Sequence, residues 1–201
     1  MKKLLIASAL LTALTGCQST SSVGNDINQM ACYFPDDLAQ EHQAPQWVCG
    51  TMPQGVEIGG IGYAKKSAAG LSVMRTVAVN NARKDLAQQF ETNVNTMFKQ
   101  AMDSTITSTG EAVSEKVNEH FESVTKNMTS RSLANSRVIA TTRSPKGGLL
   151  TLVGMDKATF DSNLAQVVEA AGSKESGLWK KFNNKKAEES LQQALNSMIQ
   201  Q

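Results

Sequence analysis

The sequence predicts an α+β domain in the order β–α–α–β–β–α, with one more helix at the C-terminus. Three observations predict it. Apolar residues recur at three- and four-residue steps from residue 67 to about 104, and again after Gly110. Two β-like runs, residues 131–143 and 149–155, flank a turn-forming Ser144-Pro145-Lys146-Gly147-Gly148. A Gly-rich strand pattern, VEIGGIGYA at 56–64, stands before the first helical stretch.

The chain opens on a different kind of segment. Lys2 and Lys3 precede an apolar run from Leu4 to Leu14. A bilayer span needs about 20 apolar residues, so this run is too short to cross. It fits the core of a signal peptide at residues 1–16. The run ends on Leu14-Thr15-Gly16-Cys17. That pattern resembles a lipobox, cut between Gly16 and Cys17. The expectation is covalent diacylglycerol on the Cys17 thiol and an N-acyl chain, such as palmitate, on the new terminus. Three acyl chains at ~0.8 kcal/mol per buried CH₂ hold a protein by tens of kcal/mol. Residue 18 is Gln, not the Asp that often retains lipoproteins at the inner membrane. The expected location is the outer membrane, facing either the periplasm or the cell surface.

Charge supports no nucleic-acid role. Of 20 Lys and Arg, Lys2 and Lys3 leave with the leader, and 18 basic residues remain against 18 acidic ones. A balanced chain has no excess of cations for phosphate backbones. Aromatics make up 5% of the residues, so the core has to be aliphatic and Ala-rich.

Residues 17–31 read as a flexible tether, Ser/Asn/Gln-rich and without apolar period, spanning about 20 Å root-mean-square. The domain proper is placed at 32–172. Cys32 and Cys49 lie in its first segment, which also holds Pro35, Pro45, Pro53, Gly50 and Gly55. In an oxidising compartment a Cys32–Cys49 disulfide is expected, worth roughly 3 kcal/mol for a loop of that size. Two buried thiols are the alternative. No metal site is expected, because His42 is the only nearby imidazole and the usual four ligands are not assembled. Trp47 and Val48 are expected to anchor this segment onto the body.

In the strand pattern, Gly59, Gly60 and Gly62 point to a bulge or a close backbone approach. The helix that follows carries Leu71, Met74, Ala78, Ala82, Leu86, Phe90, Val94, Met97 and Ala101 on one stripe. Ala78 and Ala82 would let a sheet come close. The second helix carries Val113, Val117, Phe121, Val124 and Met128, and His120 is expected at its surface. After the hairpin, Asp156 is placed to cap a helix that buries Phe160, Leu164, Val167 and Val168 and ends at Gly172. The tail, 173–201, clusters Lys174, Lys180, Lys181, Lys185 and Lys186 around Trp179 and Phe182. Leu191, Ala194, Leu195 and Met198 form a narrow stripe beyond. This tail reads as a solvated helix on the body, with a membrane-surface or partner helix as the sharper alternatives.

No catalytic motif is present. There is no G-x-S-x-G elbow, and neither His lies in a recognisable motif. Gly60-Ile61-Gly62-Tyr63-Ala64-Lys65 begins like a phosphate loop but lacks the third Gly and the Gly-Lys-Ser/Thr end. The adjacent acids Asp36–Asp37 and Glu188–Glu189 do not face each other on a helix and are expected on the surface. The chain is therefore expected not to be an enzyme and to need no cofactor beyond its lipid.

Pro45-Gln46-Trp47-Val48, then Gly60-Ile61-Gly62-Tyr63-Ala64, then Ala78, Asn81-Ala82-Arg83 and Leu86-Ala87 resemble the Lpp-twenty-like lipoproteins over about residues 45–171. That family is related to the flagellar outer-membrane lipoprotein FlgP. The resemblance implies a small, mainly antiparallel sheet packed by a long helix. It implies no enzyme activity and no catalytic residues, and it implies envelope roles, in some members ring assemblies around flagella. Cys32–Cys49 and the tail after Gly172 depart from the family pattern. Two functions follow as expectations. One is a structural or assembly lipoprotein, with envelope or flagellar proteins as partners and a role in motility. The other is a binding module for glycan, peptidoglycan or a small ligand, with Trp47, Tyr63 and Trp179 able to stack on sugars. Open sheet edges pair with neighbours, so a homo-oligomer is also expected.

Overall fold

In the computed structural model the described residues are 31–103, 111–132, 135–182 and 185–199. The expected leader at 1–16, with Gly16, the expected lipid site Cys17 and the expected tether to residue 31 lie outside them, apart from Ala31.

Strand β1 (Ile58–Ala64) leads into the long helix α1 (Leu71–Asp103). Helix α2 (Glu111–Ser132) follows, then β2 (Arg137–Arg143) and β3 (Leu149–Met155). Helices α3 (Lys157–Gly172) and α4 (Lys185–Met198) complete the order. This is the α+β order expected from the residue patterns. The three strands form one antiparallel sheet in the order β1-β3-β2.

The hairpin turns where Ser, Pro and Gly concentrate. Gly147 takes φ 84°, which a side chain would resist, and its N–H donates to the Ser144 carbonyl at 2.9 Å. The β2 strand is shorter than the β-like run suggested. Arg131 and Ser132 still belong to α2. With no Gly or Pro to stop it, the helix gains one hydrogen bond for each residue it adds. Asp156 caps α3, its carboxylate accepting from the Thr159 N–H at 2.9 Å.

β3 is buried along its whole length because both faces of the sheet are covered. Alternation decides what covers each face. Ile58, Gly60, Gly62 and Ala64 pair with Met155, Val153, Thr151 and Leu149. This face meets the helices. Ile61 and Tyr63 pair with Leu152 and Leu150. These residues pack with Cys32, Phe34, Ala44 and Trp47, so the N-terminal segment covers the opposite face. Cys32 is disulfide-bonded to Cys49.

α1 is buried at Met74, Ala78, Ala82, Leu86, Phe90, Val94 and Phe98. A strict four-residue step advances about 40° around a helix of 3.6 residues per turn. The stripe therefore winds by about 240° over those six steps. One helix can then meet the sheet with its first half and other helices with its second. α1 contacts β1 and β3, and also α2 and α4. Phe98 stacks on Phe121 of α2 with ring centroids 4.1 Å apart. Winding also explains two departures from the expected stripe: Phe98 replaces Met97 as the buried residue, and Leu71 is exposed.

α2 buries Val117 and Phe121, then Thr125 and Thr129, with Val124 and Met128 only partly covered. Thr129 satisfies its hydroxyl on the Thr125 carbonyl at 2.7 Å. The segment after Gly172 joins the main core. Ala187, Leu191, Leu195 and Met198 of α4 are buried, Leu191 and Leu195 completely.

Candidate functional site

The signature Gly60-Ile61-Gly62-Tyr63-Ala64 forms the seam between β1 and α1, and each of its residues has a distinct part there. Gly60 and Gly62 face the helix. A Cβ on Gly62 would fall on the Ala78 carbonyl oxygen and the Ala82 nitrogen. A Cβ on Gly60 would fall on the Ala82 carbonyl oxygen and the Leu86 nitrogen. Strand and helix backbones thus touch directly, and the short side chains of Ala78 and Ala82 on the helical side leave room for that approach. This is the close approach that the glycines and alanines predicted. Ala64 is buried against Met74, Ala78 and Leu149.

The backbone between the glycines is hydrogen-bonded outward. β1 is an edge strand, so half of its amides and carbonyls have no neighbouring strand. The Ile61 N–H donates to Asp85 Oδ2 at 2.8 Å, and Asn81 Nδ2 donates to the Tyr63 carbonyl at 2.9 Å. Asn81 and Asp85 are one turn apart on α1, so a single helix face supplies both. Gln89 Nε2 donates to Asp85 Oδ2 at 3.1 Å and steadies it. Since this backbone is committed to strand and helix contacts, the Gly-rich run is no phosphate cradle.

Tyr63 reaches the other face. Its hydroxyl donates to Asp36 Oδ2 at 2.9 Å. Ser144 Oγ donates to the same oxygen and accepts from the Gly148 N–H at 2.9 Å. Burial, followed by the bond to Asp36 and the charge of that carboxylate, pushes the Tyr63 phenol above its usual range. One cluster therefore ties together the N-terminal segment, β1 and the hairpin turn. Asp36 is half-buried and Asp37 is 7% exposed, which corrects the expectation of a solvated acidic pair. Burial works against the charge on Asp37. The backbone N–H of His42 at 2.8 Å and its ring at 3.0 Å outweigh burial and hold that carboxyl below the usual range. No spacing rule ties Asp36 to residues 27 and 108 positions away, so no sequence signal marked it.

The expected sugar-stacking residues do not form one platform. Trp47 is 9% exposed, covered within the cluster beneath the sheet. Tyr63 is engaged as above. Trp179 packs on the main core and donates Nε1–H to the Gly172 carbonyl at 2.9 Å. Phe182 packs on the same core, 6.2 Å from the Trp179 ring. The aromatic part of the tail is thus internal packing. His120 is half-buried, not a simple surface residue, with Nε2 3.3 Å from the Ala171 carbonyl. Burial is the main cause that lowers its imidazole below the ordinary value, and Lys181 adds to it.

Among the described residues no group of three His, Cys, Asp or Glu side chains is placed to hold a metal ion. A cleft of about 450 Å³ lies between α1, α3 and the end of α4, with Met97, Phe160 and Leu164 in its wall and Glu57, Lys157 and Asp161 at its rim. His42 and His120 are both away from it. No described helix is long and apolar enough to cross a membrane.

The fold and its seam define a small α+β domain built by clamping a long helix onto the edge strand of an antiparallel sheet. Residues 45–156 match the LPP20 lipoprotein family, and the chain belongs to that family. No curated protein and no solved structure matches. The matched span begins at Pro45 and ends at Asp156, the cap of α3. It holds the whole seam and the three-stranded sheet. Cys49 lies inside the span and Cys32 outside it, so the disulfide fastens an added segment to the family core.

Proposed function

We propose that this chain is a noncatalytic, lipid-anchored protein of the outer membrane with a structural or assembly role in the cell envelope. Its place in a lipoprotein family, taken with Leu14-Thr15-Gly16-Cys17, carries the reading. Cleavage before Cys17 frees an amine for acylation, and the thiol takes diacylglycerol. The seam supports a scaffold role in physical terms. Its hydrogen bonds hold strand, helix and hairpin together, from Asp85 and Asn81 to the β1 backbone and from Tyr63 and Ser144 to Asp36.

Intact mass spectrometry of protein purified from membranes tests the anchor. The expected mass is that of a chain starting at Cys17 with diacylglyceryl and acyl groups, and Cys17→Ser removes both. An unmodified thiol at that position overturns the reading. The assembly role, and a link to flagella and motility, are tested by deleting the gene and comparing swimming and detergent resistance. Unchanged motility with an intact envelope counts against it.

A further inference from the structure

The two ends of the sheet differ in chemistry. At one end lie the exit of β1, the start of α1 and the hairpin turn. Six large apolar side chains are exposed among the described residues, and Leu71, Val73 and Val77, on the first two turns of α1, are three of them. Val73 and Val77 line a hollow of about 410 Å³ with Met74, Lys65, Lys66 and Ser67. The Lys66 stem lies against the hairpin, close enough that a Cβ on Gly147 would meet its Cδ at 3.1 Å. That hairpin carries Arg143 and Lys146. Leu38, 87% exposed, stands two residues from Asp36 in the same region.

Lys65, Lys66, Arg143 and Lys146 form no ion pair among the described residues. Against these four cations stand two nearby carboxylates, Asp36 and Asp37, which bond instead to Tyr63, Ser144 and His42. The opposite end of the sheet carries Glu57, Asp156 and Asp161, and its cations are paired: Arg137 with Asp156 at 3.5 Å, Lys157 with Asp161 at 2.9 Å. One end is thus cationic with exposed aliphatic groups, and the other is close to charge-balanced.

We propose that the cationic end, made by Lys65, Lys66, the first turns of α1 and the 143–148 hairpin, rests on an anionic phospholipid surface. Valine and leucine side chains enter the headgroup boundary while lysines reach phosphates, the arrangement of an interfacial contact. Each cation near such a surface gains a modest attraction, too little for a free protein. The contact rests on the anchor proposed at Cys17, which makes it an intramolecular event. Fifteen residue steps separate Cys17 from Cys32. At full stretch they reach about 50 Å, so the domain stays within that distance of the lipid. Confinement of this kind raises the effective concentration enough for a weak patch to dock.

The full mature lipoprotein, reconstituted in vesicles, tests this. Flotation reports the anchor, and a nitroxide on Val77→Cys reports the surface. Cys17 is acylated and Cys32 is joined to Cys49, so the label is specific. A second label on Lys157→Cys at the far end is the control. In vesicles of phosphatidylethanolamine and phosphatidylglycerol, collisions of the Val77 label with a water-soluble nickel chelate should fall severalfold and those with oxygen should rise. The control label should not change. In phosphatidylcholine vesicles, or with Lys65→Glu and Lys66→Glu together, the protection should vanish while the protein still floats. Equal chelate access at both labels in anionic vesicles overturns the proposal. Dipolar broadening of the Val77 label overturns it too, because a second copy then covers the patch. Protein that fails to float overturns the anchor and this proposal together, a result separable from a floating protein with an exposed label.

Discussion

Gly62 of β1 lies directly on the backbone of Ala78 of α1, with no space between them for a methyl group. Helix and sheet usually meet through interleaved side chains. Here a stretch of each backbone is in contact instead, and the rest of the domain is arranged around that contact.

Gly62→Ala should therefore be among the most damaging single-methyl changes in the chain. The added carbon meets backbone atoms, which cannot rotate away, so strand and helix must separate. Overpacking costs about 1–3 kcal/mol, and rigid neighbours place this site at or above the upper end. Gly60→Ala should behave alike. Gly172→Ala is the control: its nearest atom would be Leu195 Cδ1 at 3.7 Å, and alanine favours a helix by up to about 1 kcal/mol. Urea denaturation should show a large loss for the first two and none for the third.

Asp85→Ala should destabilise by about 1.5–3 kcal/mol, since it strips a charged acceptor from the Ile61 N–H. Asp85→Asn keeps an acceptor and should recover part of the loss. The same change exposes the edge of β1, so light scattering of Asp85→Ala should show a rise in self-association. A monodisperse variant of unchanged melting temperature would refute the edge-capping role.

Removing the disulfide by Cys32→Ser with Cys49→Ser should cost roughly 3 kcal/mol, as expected for a loop of this length. The segment it closes covers Leu150 and Leu152. Amides of β3 should then lose hydrogen-exchange protection ahead of those in the middle of α1. Equal loss in both places would mean that the segment does not guard that face.

His120 supplies a pH dependence of definite sign. Its folded value is below the ordinary 6.5, so the folded chain holds fewer protons than the unfolded chain between the two values. Its contribution is complete above about pH 6.5, falls as the pH drops toward the folded value, and is flat below it. Melting temperatures measured from pH 7.5 downward should decline more steeply for the parent than for His120→Gln. Parallel curves would show that the imidazole stays solvated. Asp37 and Asp156, both held below the ordinary carboxylate range, act only in more acid solution, beyond the start of the histidine window.

Several features were legible in the residues because their causes are local. Asp156 precedes an apolar period and caps α3, and Ser144 to Gly148 can hardly do other than turn. That glycines 60 and 62 allow a close backbone approach, and that alanines 78 and 82 let a sheet come near, was readable as well; that the two sets meet each other was not. Other features left no local trace. The stripe of α1 reads as one face in a list of apolar positions, yet it winds, and Phe98 rather than Met97 is buried. Asp36 and Asp37 read as ordinary solvated acids until Tyr63, Ser144 and His42 are brought to them.

Element types, their order and the hairpin follow from chemistry within a few residues, where spacing and turn propensity act without long-range help. Which face of the sheet each segment covers, which edge α1 seals and where the unpaired cations gather are set only once the chain has packed. Those outcomes depend on contacts between residues tens of positions apart, and nothing in the spacing of either partner encodes the other.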